Sequence, residues 1–181
     1  MSVRGVLQVH SAPPALCPHI EWAVAGALGV PVSLPWVNQA AAPGMVRAEL
    51  GWQGGPGASA AITSALAGWS RLRFEVTEEA SPGCDAVRYS YTPDLGIFSA
   101  VTMANGDILV PESRLRAALA AAATPVMAGA PRPGTPGSLP DRASSLEDEI
   151  ARLLGQPWDD ELEPFRCAGD GAPVRWLHAT G

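Results

Sequence analysis

The chain has 181 residues, 47% hydrophobic and 17% charged, against roughly 25% charged in an average soluble protein, so it can bury a sizeable core and global disorder is excluded. The net charge is −6, and all of it lies between Asp141 and Asp170, where nine acids meet three arginines. With no cluster of positive charge to release phosphate counterions or meet anionic headgroups, neither nucleic acid nor a membrane surface is an expected partner.

Residues 3–10, rich in Val and Leu, are the first expected strand. A Pro-rich loop follows, and residues 16–28 show apolar positions at helical spacing (Ile20, Ala23, Val24, Ala27, Leu28), with Gly29 as the stop. Val32, Leu34 and Trp36 alternate, predicting a strand over 32–37, at an edge or bulge because of Pro35. Residues 45–52 give the clearest strand signal, with Val46, Ala48, Leu50 and Trp52 on one face. Gly54-Gly55-Pro56-Gly57 leads into a helix expected over 58–69, and Leu72, Phe74 and Val76 alternate with Arg73 and Glu75 in a fourth strand. The order β-α-β-β-α-β predicts an α+β, ferredoxin-like core.

Strands over 87–92 and 96–103 follow, and Asn105-Gly106 predicts a tight hairpin into residues 107–110. These strands extend the first sheet or form a second one. A helix is expected over 112–123. Five prolines and three glycines between Thr124 and Ser144 read as a linker. Ser145-Leu146-Glu147-Asp148 matches a capping box before an amphipathic helix that ends at Gly155. A last strand is expected near Val174 to His178. The domain reading is therefore a core over 1–123, a linker over 124–144 and an acidic helix and strand over 145–181 packed on the core. Residues 1–5 show no signal-peptide pattern, no apolar run reaches membrane length, and three cysteines make an odd set, so a cytoplasmic protein with reduced thiols is expected.

Four segments carry a family resemblance: Val9-His10-Ser11-Ala12-Pro13-Pro14-Ala15-Leu16-Cys17-Pro18-His19-Ile20-Glu21-Trp22-Ala23, Arg88-Tyr89-Ser90-Tyr91-Thr92-Pro93-Asp94-Leu95-Gly96-Ile97-Phe98, Gly106-Asp107-Ile108-Leu109 and Pro157-Trp158-Asp159-Asp160-Glu161-Leu162-Glu163-Pro164-Phe165-Arg166. Together they resemble the actinobacterial family catalogued as domain of unknown function 3145. The resemblance implies no activity. Its gene context implies only an association with type II fatty-acid synthesis.

The candidate chemistry falls in two groups. His10, Cys17 and His19 flank the start of the first helix and have the donor types for a metal or for a thiol nucleophile with a histidine base. Arg88, Tyr89, Tyr91 and Asp94 form a polar-aromatic cluster, and the two tyrosines share a strand face that could line a ligand cleft. No catalytic triad or metal-spacing motif appears, and no cofactor is expected. The glycine loop before the second helix could cradle an anion, but it lacks the Lys and Ser/Thr of a phosphate loop. In the acidic stretch, Trp158, Asp159, Asp160, Glu161 and Phe165 suggest a partner surface, or aromatic pins that hold the tail to the core. The favoured expectation is a non-catalytic interaction or regulatory protein, with a protein partner or a second copy as its ligand. The alternative is a small-molecule- or metal-binding protein, enzymatic or not, with its site around His10, Cys17 and His19.

Overall fold

The computed structural model describes residues 2–123 and 146–167. The expected linker, the start of the capping box and the last strand lie outside these residues. The described chain is α+β, with a seven-stranded sheet in which every neighbouring pair is antiparallel. The strands are β1 (Val3–Ala12), β2 (Val37–Asn38), β3 (Val46–Gly54), β4 (Arg73–Glu78), β5 (Ala86–Thr92), β6 (Gly96–Thr102) and β7 (Ile108–Leu109), in the order β2-β3-β1-β4-β5-β6-β7. The later strands thus extend the first sheet. The helices are α1 (Cys17–Leu28), α2 (Ala58–Leu66), α3 (Glu112–Ala123), α4 (Leu146–Leu154) and α5 (Gln156–Cys167).

Alternation along β1 and β4 sends Val3, Leu7, Val9, Phe74 and Val76 to one face, where Ile20 and Val24 of α1 and Ile62 and Leu66 of α2 complete the core. Pro18 occupies the first turn of α1, where its missing N–H costs little, and Gly29 ends the helix at φ 71°. At the centre of the sheet Gly5 is obligatory. A Cβ there would lie 1.9 Å from the Thr77 carbonyl oxygen and 2.3 Å from the Trp52 ring.

The strand expected over 32–37 shrinks to Val37–Asn38. Pro31 and Pro35 cannot donate to a ladder. The segment is instead tied to α1, because the Glu21 carboxylate accepts from the Leu34 backbone N–H at 2.8 Å and from Trp36 Nε1 at 3.0 Å. The tight hairpin at Asn105-Gly106 is also longer than expected. Residues 103–107 separate the strands, Gly106 takes φ 91°, and the Met103 N–H donates to the Asp107 carbonyl.

Two compact units divide the chain. The first holds the sheet with α1, α2 and α5, and the second holds α3 and α4. In the second, the two helices pack on each other, with Ala118 buried. Helix α3, read from sequence with the core, therefore groups with α4. None of the described helices is long and apolar enough to cross a membrane.

Candidate functional site

Among the described residues, the sheet face opposite α1 and α2 carries the densest cluster of polar contacts. On β4, Arg73, Glu75 and Thr77 point away from the core. Pairing puts Ser90 of β5 directly opposite Glu75 and Arg88 opposite Thr77. A bulge in β1 beyond Val9 shifts its register against both neighbours and leaves His10 able to reach the same place. Helix α5 lies over this face. Its buried Leu162 sits beneath it, and Asp159, Glu161 and Arg166 point inward.

Glu75 is the hub. Its carboxylate is bonded to His10 Nε2 at 2.6 Å, Arg88 Nη2 at 2.8 Å, Arg166 Nη2 at 2.7 Å and Nε at 2.9 Å, and Ser90 Oγ at 3.2 Å. Burial alone would raise its pKa. The hydrogen bond and charge of His10, the charge of Arg88 and the hydrogen bond of Arg166 outweigh that and hold it well below the ordinary carboxylate range. Glu75 is therefore an acceptor, and the Nε2 of His10 donates to it. Asp159 of α5 closes the ring, accepting from Arg88 and, at 2.7 Å, from Arg166 Nη2. Burial lowers the pKa of both arginines, but Glu75 and Asp159 more than reverse this. The two carboxylates of Glu75 and Asp159 match the two guanidiniums of Arg88 and Arg166 charge for charge.

Further contacts seat the same helix. Arg73 donates Nε to Glu161 at 3.0 Å and lies over the Phe165 ring at 5.0 Å. Trp158 donates Nε1 to the Gly96 carbonyl at 3.0 Å and packs on Phe98. The buried Gln39 donates to the carbonyls of His10 at 2.6 Å and Phe165 at 3.2 Å, joining β1 to the end of α5.

This arrangement redistributes the residues singled out from sequence. Arg88, His10 and Asp159, which lie far apart in the sequence, meet in one ring. Glu161, Trp158 and Phe165 hold α5 to the sheet, while Asp160 is on the exposed side. Tyr91 is buried, stacks on Phe74 with ring centres 5.1 Å apart, and accepts from the Gly68 N–H at 3.0 Å. Tyr89 is half-buried against the core, and burial, with the Glu78 charge, pushes its phenol up. Asp94 is exposed, 4.0 Å from Arg73.

His10 is in the ring, His19 is exposed, and Cys17 is half-buried at the start of α1. Among the described residues no set of three or more His, Cys, Asp or Glu side chains is arranged to hold a metal. Burial, then the Glu21 charge, pushes the Cys17 thiol up, the reverse of what activates a nucleophile. The anion cradle at the start of α2 is filled from within. The Glu78 carboxylate accepts from the Gly57 N–H at 2.9 Å, the Ser59 N–H at 3.0 Å and the Ser59 hydroxyl at 2.6 Å. Those bonds outweigh burial and lower its pKa.

A family model described as "Protein of unknown function (DUF3145)" matches residues 6–131 and 136–179. The chain belongs to the DUF3145 family. The match covers β2 to β7, β1 from Val6 onward and the whole ring of His10, Glu75, Arg88, Asp159 and Arg166, with one internal gap at 132–135. Comparison of this DUF3145 chain with curated proteins and with solved structures returns no match.

The residues missed from sequence are Glu75 and Arg166. Glu75 reads as an outward polar position in an alternating strand, and Arg166 as one charge in an acidic stretch. The available signal was local: Asp159, Glu163 and Arg166 recur at helical spacing, whereas nothing near in sequence ties Asp159 to Arg88 or Glu161 to Arg73.

Proposed function

We propose that this DUF3145 protein is a non-catalytic interaction protein that binds a protein partner through the outer face of α1. The observation that carries this reading is Trp22, which is 80% exposed in the middle of α1. Exposed neighbours along the helix are Pro18, His19 and Gly26. The helix's one carboxylate, Glu21, is engaged with Leu34 and Trp36, and the exposed helix positions beside Trp22 hold no Asp, Glu or Arg. Removing about 200 Å² of an indole from water is worth about 5 kcal/mol gross at 25 cal/mol per Å². A partner with an uncharged, apolar groove recovers that energy, whereas a charged surface would lose hydration there for no gain. Indoles of this kind dominate interface energetics.

The engagement of the chemically capable side chains with one another supports a non-catalytic role. His10, Arg88 and Asp159 complete the ring, and Tyr91 holds Gly68. The three free cysteines, Cys17, Cys84 and Cys167, support a reducing, cytoplasmic setting. A regulatory role in fatty-acid synthesis rests on the gene context that the family resemblance implies, which makes that process the first to search. For the fold, the order β2-β3-β1-β4, with a helix after β1 and another after β3, supports a ferredoxin-like unit to which β5, β6 and β7 are added.

The test compares the intact chain with Trp22→Ser. The exposed position predicts an unchanged melting temperature for the variant. Sedimentation velocity then separates two partners. A self-associating chain that becomes monomeric in Trp22→Ser identifies a second copy. A monomer that co-purifies with another protein, and loses it in Trp22→Ser, identifies a different chain. A stoichiometric complex that the variant retains would overturn the reading.

A further inference from the structure

We propose that the occupant of the outer face of α1 is a second copy of this chain, docked antiparallel about a two-fold axis so that the Trp22 indole of each copy fills a notch at Gly26 of the other. This inference rests on the α1 reading above and narrows it to one partner.

The decisive residue is Gly26. It lies inside α1, before the left-handed cap at Gly29, where glycine costs stability relative to alanine. Nothing within the described chain requires a glycine there. Its φ is not positive, and no atom lies within 4 Å of the place its Cβ would take. A body that closes on the helix backbone from outside does require one. Gly26 is one turn along from the 80% exposed Trp22, on the same face of the helix. Ala25 and Gly29 beside it are small too, so the notch is apolar and open. Indole and notch therefore share one face, offset by roughly 6 Å along the helix axis.

Such a face is complementary to itself. In a two-fold contact, residue i of one copy meets residue j of the other, and j meets i. With the axis passing between Trp22 and Gly26, each indole lies over the other copy's Gly26. The same register brings Val30, 52% exposed just past the end of α1, to the level of the other copy's Pro18, which is also exposed. The charge distribution favours the same pairing. A two-fold axis sets each group near its own counterpart, so a charged face repels itself. The chain carries a net charge of −6, and acids such as Glu147 and Glu163 are exposed on α4 and α5. The exposed α1 positions around Trp22 hold none, which makes this a face on which two acidic chains can meet. Area sets the strength. Two indoles bury about 400 Å², about a third of the roughly 1,200 Å² at which stable interfaces begin. A helix of 12 residues adds only its flanks, so the dimer belongs with weak, reversible contacts of micromolar affinity.

The test is sedimentation velocity of the full chain between about 1 and 100 µM, a range that spans a weak dimer. The native chain should pass from monomer to dimer over this range, and Trp22→Ser should weaken the dimer about 30-fold or more. Gly26→Leu fills the notch and should weaken it about tenfold or more while the melting temperature holds or rises, because leucine is the better helix former. The exchanged chain, Trp22→Gly with Gly26→Trp, moves the indole to the notch and the notch to the indole, and should dimerise again. A monomeric native chain that holds a different protein through Trp22 would overturn the second copy and leave the α1 reading standing. A dimer lost in Trp22→Ser but unchanged in Gly26→Leu, or an exchanged chain that stays monomeric, would likewise overturn this inference alone. A dimer that Trp22→Ser retains, or a native chain that neither dimerises nor holds a partner, would overturn both.

Discussion

Replacing Glu75 with Gln removes one charge from a buried ring while nearly preserving its shape. In the native ring Glu75 takes contacts from His10, Arg88, Arg166 and Ser90, and Asp159 shares the two arginines. After the substitution, Arg88 and Arg166 face Asp159 alone, and the new amide donates where it formerly accepted. Breaking a buried, hydrogen-bonded ion pair from one side costs about 3–5 kcal/mol. At about 2–4 °C per kcal/mol for a chain of this size, the melting temperature should fall by about 6–20 °C. Urea unfolding followed by tryptophan fluorescence measures the free energy directly. Arg116→Ala is the control, because its ion pair with Glu112 is exposed on α3, and the urea midpoint should not move. The pH dependence has a definite sign. The folded pKa of Glu75 lies well below its unfolded value, so its contribution is fully present above the ordinary carboxylate range, near pH 4.3 for glutamate. It is lost as pH falls through the depressed folded pKa, and Glu75→Gln should flatten that acid limb. A loss below about 1 kcal/mol, or an acid limb identical to that of the native chain, would show that the ring does not hold α5 as described.

Other outcomes follow from single contacts. Gly5→Ala would drive a Cβ into the Thr77 carbonyl, so it should cost about 3 kcal/mol or more, at the top of the overpacking range, measured as a drop in the urea midpoint. Glu78→Ala removes the acceptor at the start of α2 and should cost about 1–2 kcal/mol, with faster amide exchange at Gly57 and Ser59. Limited alkylation at neutral pH, read by mass spectrometry, should label the exposed Cys84 before the half-buried Cys17, whose thiol is held in its protonated form.

Local periodicity was enough for β1, α1, β3 and β4, because each buries one face against the same core and that face is written at period two or near period four. Gly29 and Gly155, at φ 71° and 79°, marked helix ends for the same local reason. The misreadings have a common cause in distant partners. Val32, Leu34 and Trp36 alternate as a strand would, but Glu21, more than ten residues earlier, takes the Leu34 backbone N–H and the Trp36 indole N–H. Pro157 and Pro164 disguise α5. The first falls in its opening turn and the second near its end, where each removes one N–H without breaking the helix. Trp158 and Phe165 were legible as pins of the tail, but its acids read as facing water because two of their counter-charges, Arg73 and Arg88, lie 70 residues or more away along the chain. The residues of the ring were visible as residue types. Their convergence was not, since it depends on the β1 bulge and on α5 returning to the back of the sheet.

The interaction reading stands or falls on a binding isotherm for the purified chain with its co-purifying partner, or with itself if it self-associates, measured for native and Trp22→Ser proteins side by side. A central exposed indole that anchors the interface should be worth at least about 2 kcal/mol, so affinity should fall about 30-fold or more with an unchanged melting temperature. Equal affinity for the two proteins would show that α1 is not the docking surface.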